Sequence, residues 1–162
     1  MLANLFKKGK LQIISPVNGK IIPIEEVPDP VFSQKMMGEG IAVIPTDGEI
    51  CAPVDGKIIQ IAPTKHAIGI LAADGTEILI HVGLETVSLK GEGFTLAVSE
   101  GDTVMVGQSL MKVDLDYIST NAKSTITPIV ITNSQGSNKN YITTDTKDGI
   151  KGKTVIITAS AK

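Results

Sequence analysis

The chain has no tryptophan and no arginine: all fifteen basic residues are lysine, and aromatics make up 3% of its 162 residues. Without guanidinium forks it cannot grip phosphate bidentately, and with so few rings it has no platform for stacking bases. A net charge of −2 does not steer it toward nucleic acid. Its single cysteine, Cys51, has no partner for an internal disulfide, which suits a reducing compartment such as the cytoplasm. No apolar run reaches the roughly eighteen residues of a membrane span. Residues 1–10 lack the apolar core and cleavage site of a secretory signal. No segment keeps helical periodicity over three turns, and residues 33–40 and 116–122 have room for one turn each.

What the chain does have is β pattern. Short runs of Ile, Val and Thr alternate with the turn dipeptides Asn18-Gly19, Asp47-Gly48, Asp55-Gly56 and Asp74-Gly75. Residues 15–24, Ser-Pro-Val-Asn-Gly-Lys-Ile-Ile-Pro-Ile, return as Ala-Pro-Val-Asp-Gly-Lys-Ile-Ile-Gln-Ile at 52–61. Two copies are too few for a solenoid, so they predict a closed sheet with approximate internal symmetry. The expected fold is all-β, an antiparallel sandwich or barrel with an internal hairpin repeat and only short helical turns. Residues 1–12 read as a flexible leader and 13–162 as one domain. Within it, 134–140 reads as a loop and 154–159 as a final strand.

Only two histidines, His66 and His81, offer an unshifted imidazole near neutral pH. They flank one predicted hairpin turning at Asp74-Gly75. A four-residue loop places them directly opposite each other and a two-residue turn makes them diagonal neighbours; both registers put them on one face. A three- or five-residue loop would separate them. The same alternation places Thr64 within reach of the His66 ring and lets Gly83 relieve crowding beside His81. It sends Ile78, Ile80 and Val82 to the core, and Leu79 keeps the surroundings of His81 apolar. From the hairpin alone a structural pair, a metal site and a catalytic pair all remain open.

Residues 75–87, Gly-Thr-Glu-Ile-Leu-Ile-His-Val-Gly-Leu-Glu-Thr-Val, resemble the phosphorylation-site motif of the glucose-type IIA components of the bacterial sugar phosphotransferase system. Further similar blocks lie at 27–40, 63–69, 89–94, 113–116 and 127–130. The resemblance implies a β-sandwich phosphocarrier that needs no cofactor. In it His81 accepts a phosphoryl group at Nε2 from phospho-HPr and passes it to the IIB domain of a glucose-type permease. His66 would stabilise that group and Thr64 would orient His66. Asp29, Val31, Phe32, Met36, Met37, Leu79 and Glu85 would form the partner surface, with regulatory proteins as further possible partners. Membrane contact would come only through the permease. Two positions depart from many relatives: residue 85 is Glu rather than Asp, and residue 30 is Pro.

Two other classes compete. Two close imidazoles suit zinc, yet a hydrolytic site needs a third ligand, and the position two beyond His81 is Gly83; that leaves zinc bound adventitiously or completed by a partner. Residues 100–113 resemble half of a lipoyl or biotinyl domain, but Lys112 is predicted inside a strand rather than at the hairpin tip where such groups attach.

Overall fold

The computed structural model describes residues 6, 7 and 9–162. In chain order the elements begin with β1 (Phe6–Lys7), β2 (Lys10–Ile14), β3 (Gly19–Pro23), α1 (Pro30–Ser33), β4 (Glu39–Pro45) and β5 (Glu49–Cys51). Then come β6 (Gly56–Ile61), β7 (Ala67–Ala72), β8 (Glu77–His81), β9 (Phe94–Leu96), β10 (Thr103–Val104) and β11 (Ser109–Val113). The chain finishes with α2 (Leu115–Asn121), β12 (Thr127–Ile131), β13 (Lys139–Thr143), β14 (Asp148–Gly149) and β15 (Val155–Ala161). Every strand pairing is antiparallel.

The largest sheet runs β10-β6-β7-β8-β12-β4-β3-β14, with smaller sheets β1-β2-β15-β13 and β5-β11-β9. Leu11, Ile13 and Ile157 from one small sheet meet Ile50, Met111 and Phe94 from the other and Ile58, Ile70 and Ile80 from the large one in a single core. Each fully buried isoleucine contributes roughly 1.5–3 kcal/mol. The repeat explains the order of the large sheet, in which its two copies, β3 and β6, hold mirrored places. The copies also bond to each other reciprocally: the Ile14 N–H donates to the Pro53 carbonyl and the Cys51 N–H to the Pro16 carbonyl. Gly19 and its counterpart Gly56 both lie against a neighbouring strand, where a Cβ would overlap the carbonyl oxygens of Ile44 and Leu71.

The large sheet is covered on both faces where the histidine strand crosses it. Ile78 and Ile80 point to the main core, whereas Leu79 turns to the other face. There Ile24, Val27 and Phe32, on the segment leading to and through α1, pack with Ala42, Leu84 and Val130 into a second cluster. Alternation puts His81 on the same face as Leu79.

Several expected boundaries move. Residues 1–5 and 8 of the expected leader lie outside the described residues, while Lys10, Leu11 and Gln12 pair with β15. The helical turn expected at 33–40 lies instead at Pro30–Ser33, because the Asp29 carboxylate accepts the Val31 N–H and Pro30 fills the first position, and Glu39 already begins β4. Helix α2 runs for seven residues, more than the expected single turn, and is capped by Asp114.

Candidate functional site

His81 is the last residue of β8, and His66 precedes the first residue of β7. Their rings stand edge to face with centroids 4.8 Å apart, but the predicted registers do not bring them together. In the structure Ala67 lies opposite His81 and Leu71 opposite Glu77, so the hairpin has an odd-numbered loop. That register would set the two side chains on opposite faces. They meet because β7 begins only at Ala67: Lys65 takes a left-handed conformation with φ +65°, within a turn closed by the Lys65 N–H on the Ala62 carbonyl. The turn brings the His66 ring to His81, while its carbonyl still accepts the Val82 N–H at 2.7 Å.

The hydrogen bonds define the protons. His81 Nδ1 lies 2.8 Å from the Gly83 carbonyl oxygen. A carbonyl only accepts, so Nδ1 carries the proton and Nε2 presents its lone pair. Gly83 therefore contributes its carbonyl rather than empty space beside His81. A Cβ on Gly83 would meet Thr86 Cγ2 at 2.6 Å and the Ser124 carbonyl oxygen at 2.9 Å, and its φ of +79° favours glycine. On the other ring, Thr64 Oγ1 lies 2.7 Å from His66 Nδ1. When the hydroxyl donates, His66 keeps its proton on Nε2.

Both imidazoles are held neutral. Burial, aided by the neighbouring His81, lowers the pKa of His66 to about 4. Burial also lowers that of His81, opposed by the Gly83 carbonyl and the Asp29 carboxylate. Those two opposing groups favour positive charge on the ring if it develops during reaction.

The Phe32 ring packs against His81 at 5.0 Å between centroids and is only 3% exposed. Met37 and Leu79 are half-buried against the second cluster, so these three side chains build the wall of the site. Val31 and Met36, from the same segment as Phe32 and Met37, are 39% and 64% exposed. Glu85 is exposed, and Asp29 is half-buried with one carboxylate oxygen committed to α1. Among the described residues no group of three His, Cys, Asp or Glu side chains could hold a metal ion. Lys112 sits within β11, between Glu49 of β5 and Thr95 of β9.

The arrangement can do nucleophilic chemistry at one ring nitrogen beside an N–H donor on a second. Residues 11–137 match the family described as phosphoenolpyruvate-dependent sugar phosphotransferase system, EIIA 1. The chain is 46% identical over 162 residues to a glucose-specific EIIA component of that system from Staphylococcus epidermidis, covering 97% of each chain. It is 48% identical over 163 residues to its counterpart in Staphylococcus aureus, again over 97% of each. The solved structure of glucose permease IIA from Mycoplasma capricolum superposes with a TM-score of 0.84 at 38% identity, covering 94% of this chain and 97% of that one.

Proposed function

The chain belongs to the EIIA 1 family of the phosphoenolpyruvate-dependent sugar phosphotransferase system and is a phosphocarrier of that relay, and from this premise we propose that its phosphoryl group rides on Nε2 of His81. The observation that carries the reading is the bond from His81 Nδ1 to the Gly83 carbonyl, which leaves Nε2 as the free nucleophile. The Nε2 lone pair attacks phosphorus in line as the bond to the donor group on HPr breaks, and the reverse displacement delivers the phosphoryl group to a IIB domain. A loose transition state of this kind needs positioning and charge stabilisation more than covalent help. His66 supplies part of that help by donating Nε2–H to a phosphoryl oxygen, with Thr64 holding its other nitrogen. Phosphorylation at Nε2 with Nδ1 still protonated makes the ring cationic, which the Gly83 carbonyl and Asp29 both favour.

The exposed Val31 and Met36, with Asp29 and Glu85 at the rim, form the docking surface for HPr and IIB, whose basic groups supply the guanidinium that this chain lacks. We assign the partner permease to the glucose type and the carrier domain to residues 13–162. The site of action is the cytoplasmic face, and no helix among the described residues is long and apolar enough to cross a membrane. Incubation with phosphoenolpyruvate, Enzyme I and HPr tests the assignment. Wild type takes up one acid-labile phosphate and His81→Ala takes up none, while His66→Ala is loaded but passes the group on poorly. Label persisting on His81→Ala would refute it.

A further inference from the structure

We propose that the open cleft behind the His66 turn is a second anion site, built for a phosphate group, either free or as a monoester. The cleft has a volume of about 650 Å³, and its lining includes Lys65, Lys90, Gly91, Glu92, Gly93 and Lys112. Among the described residues none of the three ammonium groups has an ion-pair partner. The Asp114 carboxylate at the cleft edge is already engaged, accepting the Tyr117 N–H that caps α2. It keeps its negative charge, so Asp114 and Glu92 are the two lining carboxylates that oppose an anion, against the three lysines.

The backbone points the same way. Among the described residues four that are not glycine have positive φ, and two of them, Lys65 and Lys90, line this cleft. Such conformations concentrate where a site has to be shaped. Gly91 and Gly93 follow Lys90, also with positive φ, and among the described residues neither N–H has an acceptor. Unpaired amide N–H groups in turn conformations can hold an anion, and lysines act as point charges around them; the intervening Lys90 and Glu92 N–H groups are taken by the Val87 and Leu89 carbonyls. The block 89–94 thereby gains a role that phosphoryl transfer leaves unfilled. The cleft lies beside the transfer site without overlapping it: a Cβ on Gly91 would touch the Lys65 stem at 3.7 Å and the Thr64 carbonyl oxygen at 3.9 Å.

The test is a titration of the unphosphorylated full chain with inorganic phosphate and, separately, with a hexose monophosphate. Chloride at matched ionic strength is the control, and backbone amide and histidine ring resonances report binding. The expected result is saturable movement of the Gly91 and Gly93 amides. Lys90→Gln and Lys112→Gln should each weaken binding about fivefold, the value of one charge pair at close range in water. Glu92→Gln should strengthen it by about the same factor. Tighter binding of the ester marks an organic phosphate as the occupant; equal binding marks the phosphate group alone. The proposal fails if chloride reproduces the shifts, if they are confined to His66 and His81, or if the lysine substitutions leave them unchanged.

Discussion

Replacing His66 with glutamine should remove an acid-dependent loss of stability that wild type shows. In the folded protein His66 titrates at about 4 rather than near 6.5, because burial disfavours its charged form. Its residue exposure is 8%, so solvent screens little of this penalty. The folded pKa is depressed, so the stability is fully present above 6.5 and is lost as pH falls toward 4. Between those values the unfolded chain holds a proton that the folded chain refuses, which costs about 1.4 kcal/mol per pH unit. Integrated down to about pH 5, the loss is about 2 kcal/mol. His81 shifts in the same direction but is present in both proteins, as are the Glu25 carboxylate, held low by a backbone hydrogen bond and Lys35, and the Glu49 carboxylate, held low by Lys151. The assay is urea denaturation followed by far-UV circular dichroism, since the chain has no tryptophan to report. Wild type should lose about 2 kcal/mol more than His66→Gln between neutral pH and about pH 5. Parallel losses in the two proteins would show that His66 is not held neutral by burial.

Two further outcomes follow from the hydrogen bonds. Thr64→Val removes the donor to His66 Nδ1, so transfer to IIB in single-turnover kinetics should slow about tenfold, the worth of one hydrogen bond. Thr64→Ser should restore the rate. Gly83→Ala forces an L side chain into a left-handed conformation and against Thr86 and the Ser124 carbonyl. It should cost about 3 kcal/mol in urea denaturation and impair loading of His81.

The sheet was readable from alternation and from the repeat, because both record which side chains face a core. The meeting of the two histidines was also readable, though by a register the chain does not use. Period-two reasoning assumed that His66 belonged to the strand, and nothing in the residue types marks the left-handed turn at Lys65 that frees it. The roles of Phe32, Met37 and Leu79 were hidden for a related reason. An apolar side chain reads the same whether it docks a partner or closes a second cluster on the outer face of a sheet. The contribution of Gly83 lies in its carbonyl, which every residue has; only its conformation and close packing show why it must be glycine. The cap at Asp29-Pro30, by contrast, was legible from residue types and would have placed the start of α1 correctly.

The central claim is that Nε2 of His81 carries the phosphoryl group while Nδ1 keeps its proton on the Gly83 carbonyl. Nitrogen-15 and phosphorus-31 NMR of the enzymatically phosphorylated chain measures this directly. Phosphorus should couple to Nε2 of His81, with Nδ1 protonated and hydrogen-bonded. Phosphorus on Nδ1 of His81, or on either nitrogen of His66, would contradict it.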